Sequence, residues 1–323
     1  LMSNKILFIT DPVASLNIKK DTSLFMVEHA QRQDMQPYQC ETSDIFFSKG
    51  LVQAHAVKIE CKVDDILLEE SGENINLKDF KYVFMRKDPP VDEDYMNTLH
   101  LLDLAQSDGA NVINNPGAVK KFNEKIFALY FAQYIPSTII SSKASEITSF
   151  AKDFNEIVIK PLNGMGGESI YKLSDIGVDE EAIIQELTND GKTLIVGQEF
   201  LPKIYDGDFR ILIINGKPFK KTLARMPQGG SFKGNLAAGG KGIAQDLKPH
   251  QAAVANEIGT LLMQQGIIFA GLDMIGSKVT EINVTSPTCA RQIFDQTGED
   301  PIKELFADLW VMQFLAIKKL EDD

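Results

Sequence analysis

Basic residues are in short supply in this 323-residue chain: 33 Lys and Arg stand against 45 Asp and Glu, a formal charge of −12. That deficit argues against nucleic-acid or anionic-membrane binding, because both need a basic face. It leaves room for anionic small molecules, which need only a local positive cluster. Cysteine is scarcer still. Cys40, Cys61 and Cys289 are odd in number, scattered and without a Cys-x-x-Cys pair. This excludes a disulfide framework and a four-sulfur zinc site, and it predicts packed thiols in a reducing cytoplasm. Four histidines (His29, His55, His100, His250), none in a motif, give little material for Ser-His-Asp, Cys-His or His-rich zinc chemistry. The phosphate loop Gly-x-x-x-x-Gly-Lys-Ser/Thr does not occur. Nor is Gly164-Met165-Gly166-Gly167 a Gly-x-Gly-x-x-Gly fingerprint, because Ser169 stands where the last glycine belongs. No apolar run approaches the ~18–20 residues of a membrane-spanning helix, and no secretory signal is visible at the start, where Met2 reads as the natural first residue.

What is present is the composition of an ordinary globular protein, 44% hydrophobic and 24% charged, with length for two domains or one elaborated with lobes. Strands are predicted at 5–10, 80–85 and 112–113, and helices at 21–33 (capped by Asp21 or Thr22) and 92–106, an alternation that points to an open, largely parallel α/β layer. After Asn123 the spacing predicts helices at 125–133, 144–152 and 179–187, with strands at 138–141, 156–160 and 169–173. Strands at 194–200, 209–215 and 218–223, a helix at 249–264, strands at 268–275 and 279–284 and a helix at 302–319 follow. These later parts read as α+β on antiparallel strands. There is no internal repeat.

Three constellations carry chemistry. Lys160 ends an apolar strand and meets Gly164, Gly166 and Gly167, whose backbone amides can approach a phosphate. With Gly276, Ser277 and Lys278 as a three-residue loop, Ile275 faces Val279 and Asp273 falls opposite Glu281, with Asn283 on the same face. Opposed carboxylates repel, so the pair reads better as an oxygen site for Mg²⁺ than as a solvated strand face. Third, the glycine-rich segment 226–241 lies between strong strand and helix signals and reads as a mobile lid that excludes water. Lys125, Arg210, Arg225 and Lys233 fall near these features and complete a face for phosphate and carboxylate.

The strings Asn123-Glu124-Lys125, Lys160-Pro161-Leu162-Asn163-Gly164-Met165-Gly166-Gly167 and Thr280-Glu281-Ile282-Asn283-Val284-Thr285-Ser286-Pro287 resemble bacterial (prokaryotic-type) glutathione synthetase, an ATP-grasp ligase. Asn17-Ile18-Lys19-Lys20-Asp21, Met85-Arg86-Lys87-Asp88-Pro89-Pro90 and Gly234-Asn235-Leu236-Ala237-Ala238-Gly239-Gly240 extend the likeness along the chain. The resemblance implies an N-terminal pre-ATP-grasp domain (1–122), a lid subdomain (123–200) and a C-terminal catalytic subdomain (201–323). The implied reaction joins γ-glutamylcysteine to glycine, with ATP as co-substrate, through an acyl phosphate. Lys125 and Lys160 would hold ATP phosphates, Gln198, Glu199, Phe200 and Leu201 would edge the adenine, and Asp208 would lie near the nucleotide. Asp273, Glu281 and Asn283 would hold Mg²⁺, for which Mn²⁺ can substitute. Arg210 and Arg225, with Lys160, would act on the transferring phosphoryl group, while Lys233, Asn235, Ser286, Thr288 and Arg86 would contact substrate. A homotetramer is also implied. Ser231-Phe232-Lys233 departs from the family pattern, where a more polar stretch ending in Arg is expected. Two alternatives stand beside this reading: another ATP-grasp carboxylate–amine ligase, or a non-catalytic nucleotide-binding module.

Overall fold

Continuously buried central strands organise the N-terminal third around one sheet, seen in a computed structural model that describes residues 3–164 and 166–322. Leu1, Met2, Met165 and Asp323 lie outside the described residues, and with them the reading of Met2 as the first residue. The sheet holds β1 (Lys5–Ile9), β2 (Gln36–Cys40), β3 (Ile45–Ser48), β4 (Leu51–Cys61), β5 (Ile66–Leu68), β6 (Glu73–Asn76), β7 (Tyr82–Met85) and β8 (Val112–Ile113). Its path runs β3-β4-β2-β1-β7-β8, with β5 and β6 also on β4. Only β2, β1, β7 and β8 are mutually parallel; β4 pairs antiparallel with β2, β3, β5 and β6. The expected parallel layer is therefore half the sheet. The spacing predicts no element over residues 36–76, and residues 45–76 form the antiparallel half. Its signal was the period-2 burial of Val52, Ala54 and Ala56 along β4.

Helices α1 (Thr22–Arg32), α2 (Glu93–Ser107) and α3 (Pro116–Lys121) cover this sheet. Each starts on a side-chain cap: Asp21 accepts from the Leu24 amide at 2.8 Å, Asp92 from Tyr95 at 2.9 Å and Asn115 from Ala118 at 2.9 Å. The helix expected at 125–133 is instead a 3₁₀ segment, Phe127–Phe131. Phe127 stacks on Phe122 at 3.9 Å and meets Phe131 edge-on, and this packing overrides helical propensity.

A second, antiparallel sheet follows: β9 (Thr138–Ser141), β10 (Ile157–Pro161), β11 (Tyr171–Leu173) and β12 (Ile195–Glu199), in the order β11-β10-β12-β9. With α4 (Ala144–Ala151) and α5 (Val178–Leu187) it closes a small core of its own around Ile147, Ile159, Ile184 and Ile195. The third sheet, β15-β14-β13-β16-β17, is built from β13 (Asp208–Ile214), β14 (Lys217–Met226), β15 (Lys241–Asp246), β16 (Phe269–Ile275) and β17 (Lys278–Asn283). Helix α6 (Pro249–Gln264) packs through Val254, Ile258 and Leu262 into a core shared with the first sheet. Helices α7 (Ala290–Thr297) and α8 (Pro301–Asp322) supply Ile293, Ile302 and Leu305 to a second shared core. Asn114 ties the two sheets, donating to the Phe269 and Val284 carbonyls and accepting from the Ile268 and Phe269 amides. Strand β15 and helix α7 carry no sequence prediction; β15 shortens the expected loop from 226–241 to 227–240.

Candidate active site

Strand β13 is buried along its whole length, yet it changes character. Leu212 and Ile214 join a core, while Asp208 and Arg210, on the same face nearer its start, are charged. Pairing sets their partners: Arg210 lies opposite Asp273 of β16, Asp273 opposite Glu281 of β17, and Asp208 opposite Arg225 of β14. The Asp273–Glu281 pairing is the expected one, reached by another route. The turn is two residues, so Ile275 faces Lys278, and a bulge at Thr280 restores the register. The Thr280 hydroxyl donates to the Asp273 carbonyl at 3.3 Å.

These side chains form a buried ionic cluster. Arg210 grips Asp273 with two nitrogens, Nε to Oδ1 at 2.5 Å and Nη2 to Oδ2 at 2.9 Å. Arg225 reaches Asp273 at 3.0 Å and Asp208 at 2.6 Å. Burial raises the Asp273 carboxyl, but the two guanidiniums outweigh it and hold it down at about 2. Glu281 is lowered too: burial opposes its charge, and Lys125 and Lys160, both 3.5 Å from its Oε1, overcome that cost. Lys125 also binds Glu124 and donates to the Gly164 carbonyl at 3.1 Å. Burial disfavours its ammonium, yet Glu281 and Glu124 raise its pKa. Burial lifts the Glu124 carboxyl, as does the nearby Glu281 charge. Burial also lifts Asp208, against the pull of Arg225.

Two clefts meet at this cluster. The first, of about 890 Å³, lies between the second and third sheets; Lys125, Lys160, Gly164, Gly166, Gly167 and Asp208 line it, as do Gln198 to Leu201. The second, of about 870 Å³, is lined by Arg210, Arg225, Asn283, Ser286 and Thr288. Gly166, Asn235 and Glu281 border both, so the carboxylate and the two loops mark the passage between them. Positive φ at Gly166 and Gly167 lets that turn approach the 227–240 loop, where a Cβ on Gly167 would stand 3.1 Å from Asn235 Oδ1.

Not every expected contact falls in place. Arg86 lines neither cleft; it is buried behind the second, donating to Ser23 Oγ and to the Pro287 carbonyl, both at 2.9 Å. Lys233 borders the first cleft, not the second, with Nζ donating to the Gly167 carbonyl at 2.9 Å. Ser286 donates to Asp88 at 2.7 Å, and Thr288 accepts from Arg210 at 3.3 Å. Glu124 and Asp88 are additional acids at the site. Glu124 stands beside Lys125 in the chain, but nothing in local spacing says it turns toward Glu281. Asp273 and Glu281 are held ionised on adjacent strands, and the Asn283 amide lies between Glu124 and Arg210. A divalent cation there would compete with Arg210 and Arg225 for the Asp273 oxygens, and no group of three or more His, Cys, Asp or Glu side chains among the described residues is placed to hold one.

The chain matches two protein families along most of its length: the prokaryotic glutathione synthetase N-terminal domain over residues 4–120 and the prokaryotic glutathione synthetase ATP-grasp domain over residues 124–298. The chain belongs to the prokaryotic glutathione synthetase family. The glutathione synthetase of Vibrio vulnificus strain YJ016 is 40% identical over 294 residues, covering 90% of this chain and 92% of that protein. That of Escherichia coli O157:H7 is 37% identical over 291 residues, with the same coverage. Among solved structures, D-cycloserine synthetase DcsG aligns with a TM-score of 0.65 at 15% identity, covering 95% of this chain and 99% of that one. The ATP-grasp ligase PsnB with its minimal precursor gives 0.62 at 16% identity, covering 96% and 99%. At that distance the likeness shows the ATP-grasp fold. As a member of its family, the chain is an ATP-dependent, metal-dependent ligase that acts on peptide and amino-acid substrates. No helix among the described residues is long and apolar enough to cross a membrane.

Proposed function

We propose that this ligase joins the cysteinyl carboxylate of γ-glutamylcysteine to the amine of glycine, with ATP in the first cleft and both acceptors in the second. The observation that carries the reading is Glu281, which borders both clefts and faces two lysines at 3.5 Å. A carboxylate oxygen of the dipeptide attacks the γ-phosphorus and ADP leaves. The glycine amine then attacks the acyl carbon, phosphate departs with the former carboxylate oxygen, and the amine gives up a proton.

Lys125 and Lys160 exchange Glu281 for the nucleotide phosphates, and the amides around Gly164, Gly166 and Gly167 cradle them. The edge from Gln198 to Leu201 receives the adenine. Asp273, Glu281 and Asn283 would hold Mg²⁺ or Mn²⁺, which when bound would neutralise phosphate charge. Arg210 and Arg225 stabilise charge on the phosphoryl group and its acceptor, and Asp208 positions Arg225. Asn235, Ser286 and Thr288 contact the dipeptide; Lys233 clasps the lid, and Arg86 shapes the 286–288 loop through Pro287. We place the lobe boundaries at 1–122, 123–200 and 201–323, the enzyme in the cytoplasm and its assembly as a homotetramer.

The test is to supply γ-glutamylcysteine, glycine and Mg-ATP and to quantify ADP and glutathione together. Equal yields support the reading. A requirement for another amino-acid pair, or nucleotide binding without turnover, refutes it. Glu281→Gln should keep the fold by circular dichroism and lower turnover by roughly 100-fold or more; unchanged turnover at low Mg²⁺ would remove the metal assignment.

A further inference from the structure

Phe232 is the aromatic member of Ser231-Phe232-Lys233, and its ring borders the first cleft but not the second. It meets the ring of Phe200 edge to face, with centroids 6.3 Å apart and planes at 80°. Phe200 is itself held in place. The Lys172 ammonium sits 4.5 Å from its ring centroid, steered there by Glu156 at 3.0 Å, and Tyr205 packs against another edge. Phe200 follows β12 in the second sheet, whereas Phe232 comes from the loop joining β14 and β15 in the third. The pair therefore links the two walls of the first cleft.

The short arm that carries Phe232 is fastened at one end. A Cβ on Gly234 would fall 2.5 Å from the Arg225 carbonyl oxygen, so only glycine lets the arm lie so close to β14. At its other end, Gly229 and Gly230 take positive φ with open space around them. Two contacts hold the arm across the cleft: Lys233 on the Gly167 carbonyl and Phe232 on Phe200. The first is an ammonium contact that dissolved anions and phosphate oxygens compete for. The second is apolar and insensitive to salt.

We infer that Phe232 is a nucleotide-retaining residue: its ring latches the 227–240 loop onto Phe200 and slows nucleotide departure from the first cleft. This deepens the proposed function and rests on its placement of the nucleotide. Phe232 itself borders only the first cleft, so its loss should act more on the nucleotide than on the dipeptide, which the same loop reaches through Asn235.

The experiment uses the full chain with Mg²⁺ and follows release of a fluorescent N-methylanthraniloyl-ADP by stopped flow, for wild type, Phe232→Ala, Phe232→Leu and the pair with Phe200→Ala. Release should quicken roughly 3- to 10-fold in Phe232→Ala, the range expected for losing one aromatic pair, and by less in Phe232→Leu. The effects of Phe232→Ala and Phe200→Ala should be non-additive, and KM for ATP should rise more than KM for γ-glutamylcysteine. Raising salt should not erase the difference. An acceleration of less than about 1.5-fold in both Phe232 variants, additive effects, or an equal rise in both KM values would overturn the inference alone. A wild-type protein that takes up no labelled ADP would overturn the nucleotide site and the latch together.

Discussion

Asp273 is the side chain on which most of the buried charge turns. Its two oxygens face Arg210 and Arg225, and its carboxyl lies at about 2, against an ordinary 3.8. A carboxyl lowered by folding favours the folded state wherever it is ionised. Its contribution is complete above about pH 4 and fades as pH falls toward 2. Asp273→Asn would leave Arg210 without a carboxylate and Arg225 with Asp208 alone. We expect a loss of about 3–5 kcal/mol at pH 7. The gap from wild type should narrow between pH 4 and pH 2, because the native protein then loses the same interaction. Urea unfolding at a series of pH values checks this, and a constant gap would contradict it. Glu124 and Asp208 respond with the opposite sign: their carboxyls are raised, so the fold takes up their protons more readily than the unfolded chain does.

Strand pairing explains why these side chains meet. Charged residues on β13, β14, β16 and β17 line up across four strands: turns and bulges set the β13–β14 and β16–β17 registers, and β13 pairs with β16 in one unbroken register. Space matters as much as register. Gly271 of β16 lies under the Arg210 side chain, and an added Cβ would fall 3.0 Å from its Cδ and Nε. Gly271→Ala keeps an allowed backbone but should push the guanidinium off Asp273. Turnover is expected to fall about 10- to 100-fold with the far-UV spectrum unchanged, and full activity would show that Arg210 has no catalytic use. The pattern of alternation revealed most strands of the second and third sheets. It did not reveal β15, a polar strand that exists because β14 offers it an edge, nor did helical spacing at 125–133 survive the packing of Phe127 against Phe122.

Across the molecule, charge is segregated and then balanced. The net charge is −12, yet the cluster sets Lys125, Lys160, Arg210 and Arg225 against Glu124, Asp208, Asp273 and Glu281. With the nucleotide placed as proposed, it would enter a site whose cations are already engaged and would have to draw the two lysines from Glu281. The second sheet has a core of its own, while the other two share theirs, so the first cleft lies between separately packed bodies. The 227–240 loop bridges them through Phe232 and Lys233. Shortening it between Gly230 and Gly239 should raise ADP release that is unaccompanied by peptide, because water then reaches the acyl phosphate. Assays of ADP and glutathione in parallel measure this, and identical ratios in the shortened and parent enzymes would exclude a protective lid.

Composition, glycine spacing and the count of residues back from a turn are local properties. They sufficed to single out Lys125, Lys160, Gly164, Gly166 and Gly167, which the fold gathers at one cleft, and to set Asp273 opposite Glu281. The partners of the two arginines were not readable, because they depend on β13 lying between β14 and β16, with the nearest neighbours in sequence not always neighbours in the sheet. The inward turn of Glu124, the burial of Arg86 behind Pro287 and the packing of Phe232 on Phe200 have the same origin. Each joins segments tens to hundreds of residues apart. A side chain's partner across such a distance is chosen by how whole sheets pack and which charges that packing removes from water.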